Sequence, residues 1–174
     1  TSPYASNTIV VLWSDHGFHL GEKQSFSKFS LWEEATRSPF IIYDPRGRDA
    51  NGHSISAPVS LVDLYRTLAE LSGLTPPDYL DGISLLPWLD DPTLPKTTPA
   101  MTTWGRGNYT LRSSDWRYTR YHDGSEELYN NKADPNEWTN LAGNSNYSAQ
   151  KAQLSADLPT SEAPQVQSGI ELYN

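Results

Sequence analysis

Apolar and polar positions along this chain follow two different rhythms. Ile9-Val10-Val11-Leu12-Trp13 is an unbroken apolar run rich in β-branched residues. Such a run predicts a strand buried on both faces. It ends in the polar turn Ser14-Asp15-His16-Gly17, and a loop with Gly17 and Gly21 follows. Residues 31–36 predict a short helical segment, bounded by Pro39. Residues 39–44, Pro-Phe-Ile-Ile-Tyr-Asp, predict a second buried strand. Residues 60–72 predict the strongest helix. Leu61, Leu64, Leu68 and Leu71 fall on one helical stripe, and Gly73 fits the position just past the helix end. Residues 81–89 predict a turn and a short helix. Strand, turn, helical segment, strand, helix is an α/β order.

The rhythm changes between residues 90 and 100, where Pro92, Pro95 and Pro99 mark a linker. Beyond it, residues 100–103, 109–113 and 116–121 predict antiparallel strands. Asp123-Gly124 is a hairpin signal, and residues 126–129 supply the returning strand. The run 116–121 alternates like a half-exposed strand. Asp134-Pro135-Asn136-Glu137 predicts a structural turn, with Trp138 anchoring the last segment. Residues 148–158 carry a weak helical pattern. Residues 159–174 are a polar, poorly ordered tail in which Ile170 and Leu172 are candidates to dock.

The chain thus divides into 1–95, part of an α/β domain; 96–158, a small antiparallel β subdomain with a terminal helix; and 159–174, the tail. Two strands buried on both faces need neighbours that this sequence does not supply. The chain starts Thr1-Ser2-Pro3 without Met or a signal segment. Both features give the expectation of a piece of a larger protein.

Composition narrows the chemistry. The 174 residues contain no Cys, which excludes disulfides, thiolate zinc sites, iron–sulfur clusters and a Cys nucleophile within this chain. The net charge of -8 argues against a nucleic-acid partner, which needs a cationic face. The longest apolar run is far too short to span a bilayer, so no membrane partner is expected.

The stretch richest in reactive groups is Ser14-Asp15-His16-Gly17-Phe18-His19-Leu20-Gly21-Glu22-Lys23. It follows the carboxyl end of a strand, where open α/β sheets bind ligands. Its carboxylates and imidazoles are either a site or ordinary turn caps and solvated loop groups. A second cluster is Trp104-Gly105-Arg106-Gly107-Asn108-Tyr109, which also reads as a β-turn with packing aromatics.

These residues, followed by Lys28 and by Glu33-Glu34-Ala35-Thr36-Arg37-Ser38-Pro39-Phe40-Ile41-Ile42, form an ordered set. It continues with Ser60-Leu61-Val62-Asp63-Leu64-Tyr65, Asp81-Gly82-Ile83-Ser84-Leu85-Leu86-Pro87, Trp116-Arg117-Tyr118 and Glu127-Leu128-Tyr129-Asn130. Asp134-Pro135-Asn136-Glu137-Trp138-Thr139-Asn140-Leu141 closes the set. Over roughly residues 4–158 the chain resembles the C-terminal portion of a type I, formylglycine-dependent sulfatase. The likeness is greatest to the iduronate-2-sulfatase and choline-sulfatase group of the alkaline phosphatase superfamily.

The resemblance implies an α/β, alkaline-phosphatase-like sulfatase fold with a small antiparallel-sheet C-terminal subdomain. It implies a divalent cation, usually Ca2+, on Asp15 and His16. A hard cation suits the Asp15 oxygen, whereas an imidazole suits transition metals better. His16 is therefore either a ligand or a hydrogen-bond partner of sulfate or nucleophile. Lys28 matches the lysine that touches the sulfate and the bridging oxygen, where an ammonium stabilises leaving-group charge; Lys23 is a second candidate for that role. His19 is either a leaving-group orienter or general acid, or a loop histidine. Arg106 would pair with a substrate carboxylate, and Trp104 and Tyr109 would stack on a sugar.

The family's nucleophile is a formylglycine made in a Cys/Ser-x-Pro-x-Arg motif, and this chain contains no such motif. The implied function is therefore part of a sulfatase that hydrolyses sulfate esters of a small molecule or carbohydrate. The N-terminal part of that sulfatase is the expected partner, and this chain alone is expected to be inactive. The alternatives are a non-catalytic sulfatase-like domain, or a fragment of a phosphodiesterase or phosphonate hydrolase of the superfamily. The resemblance also favours a periplasmic, secreted or lysosomal location.

Overall fold

The computed structural model describes residues 2–164. The docking expected of Ile170 and Leu172 lies outside the described residues. Strand β1 (Val10–Trp13) leads through a long loop to helix α1 (Glu33–Thr36) and strand β2 (Phe40–Tyr43). Helices α2 (Asp63–Leu71) and α3 (Leu86–Asp90) follow. Strands β3 (Ala100–Thr103), β4 (Tyr109–Arg112), β5 (Trp116–Arg120) and β6 (Glu126–Asn130) and helix α4 (Ser148–Ser155) complete the chain.

β1 and β2 pair antiparallel, Val10 opposite Tyr43 and Leu12 opposite Ile41. The intervening loop folds back on itself. Ser14 N–H donates to Pro39 O at 3.3 Å and Gly17 N–H to Ala35 O at 2.8 Å, which keeps the two strand ends together. Because side chains alternate across a strand, Val10, Leu12, Ile41 and Tyr43 share one face. All four are exposed, contrary to the burial that their sequence predicts. The reason is topological: this sheet has only two strands among the described residues, and nothing covers that face.

The α2 helix forms where predicted, but its most buried positions are Asp63, Thr67 and Leu71. They face the 82–85 segment, and the polar ones are satisfied there. Asp63 accepts from Ile83 N–H at 2.9 Å and Thr67 Oγ1 from Leu85 N–H at 3.0 Å. Leu61, Leu64 and Leu68 of the predicted apolar stripe are only half-buried.

The second sheet is an antiparallel meander in the order β3-β4-β5-β6. Its apolar core contains Leu111, Tyr118 and Leu128, with Leu154 and Leu158 from α4 and the turn after it. The opposite face carries a buried ion network. Arg117 Nε donates to Glu137 Oε1 at 2.6 Å, and its Nη1 to Leu31 O and Thr110 Oγ1, both at 3.1 Å. Its Nη2 pairs with Glu33. Glu137 also accepts from Asn131 Nδ2 at 2.8 Å and from Glu33 N–H, at the start of α1, at 2.9 Å.

Three expectations change here. The β5 strand is buried on both faces at Arg117, Tyr118 and Thr119 rather than half-exposed, because α4 covers one side and residues 31–33 meet the other. The turn at 134–138 is present, but its anchor is Glu137, fully buried with φ +58, while Trp138 is 63% exposed. The start of the expected loose tail is held, since Glu162 accepts hydrogen bonds from Arg106 and Tyr109.

Two outcomes test this packing. Glu137→Ala leaves Arg117 Nε, Asn131 Nδ2 and the Glu33 N–H without their acceptor in the interior, with Glu33 still pairing Arg117, and should cost about 3 kcal/mol, read by urea denaturation. A loss below about 1 kcal/mol would show that the network does not hold the sheet in place. Gly17→Ala should destabilise the loop, because a Cβ there would lie 2.0 Å from Glu34 O and 2.6 Å from Arg37 O. Unchanged amide exchange protection at residue 17 would contradict that close approach.

Candidate functional site

The loop after β1 places three of the expected residues together. His16 Nδ1 lies 2.6 Å from Gly17 O. A carbonyl only accepts, so Nδ1 carries the proton and Nε2 presents its lone pair. Lys28 Nζ donates to that Nε2 at 2.9 Å, and Asp15 Oδ2 lies 3.5 Å from the same nitrogen. Asp15 is open to solvent, its side chain 80% exposed. One carboxylate, one imidazole and one ammonium thus converge on an accessible surface.

This donor set suits a divalent cation only in part. The Asp15 oxygen and the outward Nε2 lone pair are proper ligand atoms. The backbone carbonyl on Nδ1 fixes the tautomer as the outer partners of metal-bound histidines do. Among the described residues, however, no group of three or more His, Cys, Asp or Glu could hold a metal ion. A complete shell needs ligands from beyond these residues.

The structure separates His19 and Lys23 from this surface. His19 is 0% exposed, with Nε2 2.8 Å from Ser30 Oγ and its ring edge-on to Trp32. It is a buried loop histidine. Lys23 sits in a left-handed turn with Gln24, at φ +51 and +56. Its ammonium donates to Tyr129 Oη at 3.0 Å and to the Glu137 carbonyl, and lies over the rings of Trp32 and Tyr129. Burial pushes that ammonium's pKa down, and the Glu127 and Glu137 charges oppose the shift. Lys23 is therefore a pin between the loop and the small sheet.

The second cluster lies beside the first. Trp104 is exposed and stacks on Phe29, centroids 6.2 Å apart and planes 26° from parallel. Lys28 Nζ is 5.7 Å from the Phe29 ring centre. Phe29 thus joins the two clusters, and sequence reasoning missed it. The available signal was an aromatic in the polar run Ser25-Phe26-Ser27-Lys28-Phe29-Ser30, where burial is not the default. Tyr109 cannot stack on a sugar: it is 6% exposed in the core of the small sheet, and only its hydroxyl reaches out, to Glu162. Arg106 Nε donates to the same carboxylate at 2.8 Å.

Comparison with known proteins agrees with this architecture. The Sulfatase family model matches residues 1–74. A sulfatase of Formosa agariphila is 44% identical over 93% of this chain and 32% of its own length. A Delta 4,5-hexuronate-2-O-sulfatase of Bacteroides thetaiotaomicron is 33% identical over 85% of this chain and 33% of its own. A structure solved with its substrate D-glucosamine-2-N,6-O-disulfate superimposes with a TM-score of 0.75 at 30% identity, over 87% of this chain and 33% of that one. The chain spans about a third of the length of these relatives. Its fold is that of the sulfatases of the alkaline phosphatase superfamily.

Proposed function

We propose that this chain supplies one side of a sulfate-ester hydrolase site, as the C-terminal part of a formylglycine-dependent sulfatase. The observation that carries the reading is the convergence of Asp15, His16 and Lys28 on one open surface. In it, Asp15 and His16 would hold a divalent cation, Ca2+ by the resemblance to the sulfatase family. When bound, that ion supplies positive charge to the sulfate oxygens. Lys28 places its ammonium at the oxygen that takes up charge as the S–O bond breaks. His16 Nε2 has a single lone pair, so Lys28 and a cation compete for it.

The nucleophile and the remaining ligands come from the N-terminal part of the parent protein, and this chain alone is inactive. A sulfated carbohydrate is the proposed substrate. Two relatives support it, one named for a sulfated hexuronate and one solved with a sulfated glucosamine. The exposed Trp104 beside Phe29 offers an apolar platform for a sugar ring, and Arg106 a cation for a carboxylate. No helix among the described residues is long and apolar enough to cross a membrane.

In the full-length parent, Asp15→Ala should remove bound divalent cation and lower turnover more than about a hundredfold. Metal analysis and aryl-sulfate hydrolysis read the two effects. Normal metal content would defeat the ligand assignment. Lys28→Ala should lower kcat about 10²–10³-fold, the usual effect of removing one donor from developing negative charge. A change confined to melting temperature would make Lys28 structural. Faster turnover of a phosphonate monoester than of a sulfate ester would replace the sulfatase reading altogether.

A further inference from the structure

The contact between Glu162 and the turn after β3 has the form of a filled binding site. One carboxylate oxygen accepts from Arg106 Nε at 2.8 Å, and the other accepts from Tyr109 Oη at 2.5 Å. Two donors, each on its own oxygen, are the geometry in which proteins seat a carboxylate.

The two halves of the contact differ in how firmly they are built. Tyr109 is fixed by the core of the small sheet, paired in register with Arg120. Arg106 sits between Gly105 and Gly107, both at positive φ, in a turn braced by Asn108 Nδ2 on Trp104 O at 3.0 Å and on Arg106 O at 3.3 Å. Tyr109 is therefore preorganised, whereas at Arg106 only the backbone is held. Glu162 instead comes from residues 161–164, which form neither helix nor strand. Its partner Arg106 is 57% exposed and the Glu162 side chain 26%, and an ion pair partly open to water is weak enough to exchange. The hydrogen bonds from Tyr109 and Arg106 hold the Glu162 carboxyl below its usual range, so it is ionised at neutral pH. The stack of Trp104 on Phe29 connects this turn directly to Lys28.

We propose that Arg106 and Tyr109 form a receptor for a carboxylate on the ligand, and that Glu162 is its internal stand-in, displaced when a carboxylated sulfate ester binds. The proposal rests on the reading of Asp15, His16 and Lys28 as the sulfate end of the same site. A receptor filled nine-tenths of the time by its own Glu162 binds an incoming carboxylate about tenfold more weakly than an empty one.

The test compares two substrates of the full-length enzyme that differ only in the carboxyl group: a sulfated hexuronate and its methyl ester. Glu162→Gln should lower KM for the acid by about tenfold, move KM for the ester less than about twofold, and leave kcat of both unchanged. Arg106→Gln should raise KM for the acid alone and cancel the gain from Glu162→Gln in the double variant. An equal change for both substrates, or none, would make Glu162 an anchor of its own segment and overturn the proposal. Hydrolysis of neither substrate by the wild type moves the test to binding, and failure on an aryl sulfate as well would defeat the sulfatase reading. In either event free glucuronate, titrated while the Arg106 Nε–H resonance is followed, decides the matter. Tighter binding to Glu162→Gln than to wild type sustains the receptor, and no perturbation in either overturns it.

Discussion

Arg117 and Glu137 are both removed from water, and the rest of the structure is arranged to make that tolerable. A buried charge survives only when paired and fully hydrogen-bonded. The guanidinium therefore fixes four neighbours, Glu137, Glu33, Thr110 and the Leu31 carbonyl. The Glu137 carboxylate fixes Asn131 and the first turn of α1. At four residues α1 is too short to hold itself together, and no side chain of its own caps it. Its stability is borrowed from a carboxylate more than a hundred positions away in the chain.

Once α1 is placed, the loop that precedes it has little freedom. Gly17 packs against the α1 carbonyls so closely that only hydrogen fits, which sets where His16 and Asp15 emerge. The left-handed pair Lys23-Gln24 then turns the loop so that Lys23 points into the small sheet. His19 is carried inward, while Lys28 meets His16 at the surface. The same buried network thus decides both the seating of the small sheet and the convergence of the candidate site.

The β1–β2 ribbon shows the opposite situation. Its apolar face of Val10, Leu12, Ile41 and Tyr43 is uncovered, and a lone two-stranded ribbon is marginal in water. That exposure, and the one-third span of the matched relatives, both agree with the proposal that further strands of a parent protein complete this sheet.

The order of elements and the four-strand meander were legible in the sequence because they depend on local pattern: apolar periodicity and turn dipeptides. The grouping of Asp15, His16 and Lys28 was legible too, through an ordered set of motifs. What the sequence left open was which way each loop side chain points. Lys23 and Lys28 are chemically alike, five positions apart and both half-buried, yet one pins the loop to the small sheet and the other meets His16. His16 and His19 divide in the same way. Glu137 read as part of a turn, and nothing local marks it as the hub of an ion network. The aromatics Phe29 and Trp104 gave no sign that they meet. Local chemistry settled which residues could act. Only the tertiary structure decided which do meet, because burial, left-handed turns and partners distant in sequence set the direction of each side chain.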